Sequence, residues 1–230
     1  MSIASSAAAT ALIALSCLTV SAKGQGRDCL YSFTVGDSPA PVAACGNGDP
    51  RGIGEDSRVR RTMEALGIPL GVVTFRGCAG QPFSASPDSR RASPGGQYSV
   101  TYPSDLSSPM HAMVAPIVHE LAHVAQMRNA QGLESLRKNY ESRRIELGAD
   151  FVAGLVFATV LKSADLKDFL LNLNLIGSYR QREVETHGTP DQRSSAFRLG
   201  AFLEYPYNEL PIRKSEQYFQ ENDYARVLAF

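Results

Sequence analysis

The stretch Val118-His119-Glu120-Leu121-Ala122-His123 places two histidines four residues apart, with a glutamate directly after the first. At helical spacing, residues i and i+4 share a face, with Cβ atoms about 6 Å apart, so both imidazoles can converge on one ion. Glu120 lies about 100° round such a helix from His119, close enough to reach a ligand of that ion rather than the ion itself. The flanks predict a helix. Ser108 and Pro109 suit an N-cap and first turn, and the helix should run to about Asn129, with Gly132 near its end. Pro116 predicts a kink, or a helix that starts there. HExxH is a short pattern. Its plainer reading is a helix whose two histidines fall one turn apart by chance.

A second stretch weighs against that plainer reading. Residues 145–161 read IELGADFVAGLVFATVL, in which only Glu146 and Asp150 are charged. The rest is apolar or small, so a helix expected over residues 141–161 should be buried on most sides. Unpaired carboxylates in such a place cost several kcal/mol or are forced neutral. Glu146 and Asp150 are again i and i+4 and share a face. A metal ion and an imidazole N–H are the partners that justify both. Glu146 is therefore expected as the third metal ligand, and Asp150 as the acceptor that orients a ligating histidine. The alternative is a pair facing solvent, or answered by Arg143 and Arg144.

Two histidines and a glutamate leave a coordination position open, as in catalytic rather than structural zinc sites. Zinc lowers the pKa of a bound water to about 7. Glu120 is then the expected general base, passing the proton on to a leaving amine.

HELAH followed by Glu146-Leu147-Gly148-Ala149-Asp150 resembles the HExxH…ExxAD signature of the gluzincin metallopeptidases. The likeness is nearest to the neutral zinc metallopeptidases and to the small catalytic cores of CaaX-protease-like peptidases. Gln126, three residues after His123, fits it too. So does the segment Thr186-His187-Gly188-Thr189-Pro190-Asp191-Gln192-Arg193, whose counterpart in those families closes the active site. The resemblance spans roughly residues 108–204. It implies His119, His123 and Glu146 as ligands of Zn2+, Glu120 as base and Asp150 behind a histidine. It also implies an α+β, zincin-like fold: a mainly helical core with a small sheet whose edge strand lies beside the active-site helix and holds a peptide. Many relatives carry a membrane-spanning segment, which is not evident in this chain.

Further residues carry weaker signals. His187 precedes a helix start marked by the capping box of Thr189 and Gln192. It is a catalytic candidate, as a donor to an oxyanion, or else a surface loop histidine. Tyr179 is a lesser candidate for the same role. Arg193 supports the same charge or makes a surface ion pair, and the second is preferred. His111 reads as a surface or capping residue. Tyr98 and Tyr102 share one face of the expected edge strand, residues 97–102, and read as packing. Phe151, Leu155 and Phe157 read as core. A helix over residues 58–66 closed by Gly67, a strand over 70–75, a loop over 81–97 and helices over 163–175 and 216–228 complete the pattern.

The chain has 230 residues with 23 basic and 23 acidic side chains. That balance points away from a nucleic-acid footprint or a polybasic membrane patch. Residues 1–22 carry a short apolar run ending Val20-Ser21-Ala22, which reads as a signal peptide although no basic residue precedes it. Residues 23–105 read as a loop-rich and β region with a short strand near 30–35, and residues 106–230 as the helical core. Export implies an oxidising compartment, where one disulfide among Cys29, Cys45 and Cys78 is plausible. Cys29–Cys45 is the expected pair, fastening the Gly/Pro-rich chain between them. Cys17 as a lipid anchor is disfavoured by Ala14.

The expected function is thus an exported zinc endopeptidase acting on protein or peptide substrates, with no transmembrane span in the mature chain. The competing reading is a non-catalytic zinc-binding structural or interaction protein. A third is a latent form in which a cysteine thiolate or the 81–97 loop covers the cleft.

Overall fold

The computed structural model describes residues 45–46, 48–88, 96–106, 108–162, 187–202 and 206–230. The expectations at residues 1–22, 30–35 and 163–175, and for Tyr179, lie outside them, as do Cys17 and Cys29.

The described chain is a mixed α+β fold with a small three-stranded sheet. Helix α1 spans Ser57–Ala65, capped by the Asp56 side chain, which accepts from the Arg58 N–H. It ends where Gly67 takes the left-handed conformation (φ 64°), as the sequence predicts. Strands β1 (Val73–Gly77), β2 (Ser84–Pro87) and β3 (Tyr98–Tyr102) follow. Then come helices α2 (Met110–Asn129), α3 (Leu133–Asn139), α4 (Ser142–Val156), α5 (Pro190–Ala201), α6 (Ile212–Tyr218) and α7 (Tyr224–Leu228). One π-helical turn, Phe157–Leu161, extends α4, and another, Phe219–Asp223, joins α6 to α7.

The sheet order is β1-β3-β2, with β1 parallel and β2 antiparallel to β3. This corrects the expectation that residues 97–102 form an edge strand. That segment is central, and the edge strands are β1 and β2. The edge strand β2 was hidden because Ser84-Ala85-Ser86-Pro87 is too small and polar to signal a strand. Its Pro87 sits where an edge strand tolerates proline. Strand β1 also begins three residues later than expected, because Leu70 lies in an exposed turn.

Helix α2 is buried nearly all round, from Met113 to Met127. Met113, Ile117, Leu121 and Val124 pack with α1 and the sheet, whereas Val114, Ala115, Val118 and Ala122 pack with α4 and α5. One helix therefore divides the core in two, as an all-round apolar sequence requires. It runs unbroken through Pro116, so it does not start there, and Pro109 rather than Ser108 is the N-cap. A short helix that the sequence reading lacked, α3, turns the chain from α2 into α4.

Helices α4 and α5 meet backbone to backbone. A Cβ on Gly154 would lie 2.1 Å from the Phe197 carbonyl oxygen, and one on Gly200 would lie 2.1 Å from that of Phe151. Phe151, Leu155 and Phe157 are core, as expected, and Phe151 stacks on Phe219 at 4.6 Å. The C-terminal helix starts at Ile212, four residues before the expected start, after the N-cap Pro211. Arg144 and Gln220 exchange hydrogen bonds that pin this segment to α4.

The disulfide joins Cys45 to Cys78, not Cys29 to Cys45. Cys78 follows β1, and the segment after Cys45 pairs with the end of that strand through Gly46 N–H to Gly77 O and Gly77 N–H to Gly48 O. A partner 33 residues away in sequence was brought close by the sheet, which no local composition reveals. Tyr102 and Arg51 complete the fastening. The Tyr102 hydroxyl donates to Asp49 at 2.5 Å, and the Arg51 guanidinium donates to the carbonyls of Leu106 and Ser108 just before α2. Among the described residues, no helix is long and apolar enough to cross a membrane.

Two outcomes are expected. Peptide mapping without reductant should recover Cys45 and Cys78 in one linked pair. Gly200→Ala should lower unfolding free energy by about 2–3 kcal/mol, the upper range for overpacking, because backbone rather than a side chain opposes the new methyl. Chemical denaturation of the two proteins measures it, and an unchanged midpoint would contradict the close α4–α5 contact.

Candidate metal centre

Two helical turns, one on α2 and one on α4, bring the site together. On α2, the i, i+4 spacing sets His119 and His123 on one face, with ring centroids 4.7 Å apart. On α4, the same spacing sets Glu146 and Asp150 toward them. The Nε2 atoms of His119 and His123 lie 3.0 Å apart, and the Glu146 carboxylate stands 3.3 Å from the first and 3.4 Å from the second. One donor atom from each of His119, His123 and Glu146 lies within 4.8 Å of the others, and all three residues are buried. This group could hold a metal ion.

Each outer nitrogen has an acceptor oxygen close by. His119 Nδ1 lies 2.8 Å from Asp150 Oδ1, and His123 Nδ1 lies 2.8 Å from Gln126 Oε1. Gln126 in turn donates to the Ile145 carbonyl at the start of α4. Both acceptors ask for an N–H at Nδ1, so once each Nε2 has given up its proton its lone pair faces the other ring and Glu146. Three electron-rich groups facing inward is the arrangement a cation satisfies.

Charge leads to the same point. Glu120, Glu146 and Asp150 are buried carboxylates, and the buried cation among them is Arg193, whose Nε and Nη2 donate to Asp150 at 2.7 and 2.9 Å. Three negative charges against one positive leave a deficit of two, which one divalent cation fills. In its absence protons take that place. Burial alone would depress the His119 pKa, but the Asp150 and Glu146 carboxylates outweigh it and raise it to about 9. Burial pushes the Glu120 carboxyl well above its ordinary range, and the nearby Glu146 adds to this. Burial opposes ionisation of Glu146 and Asp150 as well, but both are held low. The two ligand histidines do this for Glu146, and Arg193 and His119 for Asp150. The donor set fits a divalent metal.

Glu120 is fully buried, and no side chain hydrogen-bonds either of its oxygens. It sits toward β2, where the Ala85 backbone amide slightly favours its charged form. His187 is partly buried with its Nδ1 3.8 Å from Glu146 Oε2, so it belongs to the cluster and not to an open surface loop. His111 is exposed, and Tyr98 and Tyr102 are buried, as expected. Arg143 and Arg144 do not answer the α4 carboxylates: the first lies 4.0 Å from Glu141 and the second holds Gln220.

Arg193 corrects the sequence reading. It is buried, not part of a surface ion pair. The signal was present: Arg193, Ala196, Phe197 and Gly200 fall at i, i+3, i+4 and i+7, the stripe of α5 that faces the core. The capping box of Thr189 and Gln192 starts that helix in register, as predicted. Gln126 was noticed only through a family resemblance. Its position three residues after His123 puts it where it can reach that ring.

Compared with protein-family models, with curated proteins and with solved structures, the chain matches none.

A divalent ion that takes the place of two protons should release them. Calorimetric titration with zinc at neutral pH, repeated in buffers of different ionisation enthalpy, should show release of about two protons per ion, since ligands bind deprotonated. Release of none would contradict the charge account. Metal-free protein should also lose stability as pH rises. The His119 pKa is raised from 6.5 to about 9 on folding, so its contribution is present below 6.5 and lost as pH passes through about 9. Thermal unfolding of the chelated protein between those values measures this.

Proposed function

We propose that the protein is a zinc-dependent metallopeptidase that works outside the cytoplasm. The observation that carries the reading is Glu120. It is a carboxylate buried beside a metal-ligating histidine, with no side-chain hydrogen bond to maintain. A group isolated at such cost is what general-base catalysis uses.

His119, His123 and Glu146 would hold the ion, and two imidazoles with one carboxylate leave a position open in the manner of catalytic zinc. Zinc there supplies a Lewis acid that polarises a carbonyl and acidifies water. Glu120 takes the proton from the attacking water and delivers it to the nitrogen of the leaving amine. Asp150 and Gln126 hold the ligand rings so that each Nε2 faces inward. His187 donates to the oxygen on which negative charge builds.

The outer edge of β2, unpaired among the described residues and next to α2, is where an extended peptide would add as a further strand. This moves the substrate edge from residues 97–102 to Ser84–Pro87. The Cys45–Cys78 disulfide and the apolar run in residues 1–22 support an oxidising, extracytoplasmic location.

A second reading has an observation of its own. Glu120, His119 and His123 are 0%, 2% and 1% exposed, which also suits a closed structural metal site. Glu120 weighs against it, since a structural site needs no base.

Glu120→Gln separates the two. Digestion of an unbiased peptide library should fall by 10²–10⁴-fold, on the order expected for loss of an acid–base group, while zinc content stays at the wild-type level. Undiminished cleavage by the variant would rule out the mechanism.

A further inference from the structure

We infer that Arg193 is a positioning residue of the metal centre, acting on His119 through Asp150. The inference rests on the metal reading of the site but assigns a role that the ligands do not imply.

The geometry carries it. The Arg193 guanidinium meets Asp150 edge-on, with Nε on Oδ2 at 2.7 Å and Nη2 on Oδ1 at 2.9 Å. This two-point fork fixes both the place and the plane of the carboxylate. The same Oδ1 lies 2.8 Å from His119 Nδ1. A carboxylate free to rotate about its χ2 would present either oxygen to the ring at varying angles. One held by the fork presents Oδ1 alone. The ring is thereby held with Nε2 toward His123 and Glu146. Both Arg193 and Asp150 are at most 1% exposed, so water cannot replace the clamp.

The fold explains why an arginine on α5 can reach so far in. Gly154 and Gly200 let α4 and α5 touch through their backbones. The i+7 spacing from Arg193 to Gly200 places the arginine two turns along the same stripe, from which its long side chain reaches Asp150, itself one turn before Gly154. His119 thus takes its orientation from three elements in series: α5 holds Asp150 of α4, and Asp150 holds His119 of α2. Lysine has the charge but not the fork, so charge alone is not the role assigned.

The test is a double-mutant cycle read by zinc affinity and by the His119 ring N–H signal in zinc-loaded, 15N-histidine-labelled protein. Zinc affinity is measured by competition with a chromophoric chelator. Arg193→Met should weaken zinc binding by about tenfold, the lower range for groups that orient a ligand, and should shift or broaden the His119 signal. In an Asp150→Asn background the same substitution should lower affinity no further, because the route through the carboxylate is already gone. Arg193→Lys keeps the buried charge and serves where Arg193→Met does not fold; it should still move the His119 signal. Unchanged affinity and signal in both Arg193 variants would overturn the inference. So would an equal loss in the Asp150→Asn background, which would mark Arg193 as a general packing residue. Wild-type protein that binds no zinc would overturn the metal reading as well, a result distinct from either.

Discussion

The structure turns on buried charge. Three carboxylates and one guanidinium sit where α2, α4 and α5 meet, at positions closed to water. An apolar core tolerates that only if every charge is answered. Asp150 is answered twice, by Arg193 and by His119. Glu146 faces two imidazoles. Glu120 has no side-chain hydrogen bond, and the remaining deficit has the size of one divalent cation. The same residues that would bind an ion therefore also decide whether the three helices can pack as they do. Ion binding and folding are expected to be coupled here, as in other sites whose ligands come from separate helices.

The ligand helices were legible in the sequence because each carries its message within one or two turns. Two histidines on α2 and two carboxylates on α4, all at i, i+4, need no tertiary knowledge to be placed on common faces. The isolation of Glu146 and Asp150 in an apolar run already demanded partners. The capping box at Thr189 fixed the start of α5 for the same local reason. What was missed depends on distant parts of the chain. Strand β2 is a strand because β3 offers it hydrogen bonds, not because Ser84-Ala85-Ser86-Pro87 prefers to be extended. Once β2 is present, residues 98–102 become central. The Cys45–Cys78 pair follows from the sheet in the same way. Arg193 was misread because arginine on a helix usually faces solvent. Its place on the apolar stripe outweighed its residue type.

The site combines rigid and exposed demands. Its ligand rings are held from behind by Gln126 and Asp150, and these are held in turn by the Ile145 carbonyl and by Arg193. Such layered support is what keeps a reactive group within a fraction of an ångström of its working position. In the proposed function, the edge of β2 would supply what the buried cluster lacks, a backbone surface for a polypeptide beside the Glu120 side of α2.

The central claim is that His119, His123 and Glu146 jointly hold one zinc ion. X-ray absorption at the zinc edge, on protein purified without added chelator, tests it most directly. The account predicts a first shell of nitrogen and oxygen only, with the multiple-scattering pattern of two imidazoles. A sulfur neighbour from a cysteine, or a spectrum with no imidazole scattering, would contradict it.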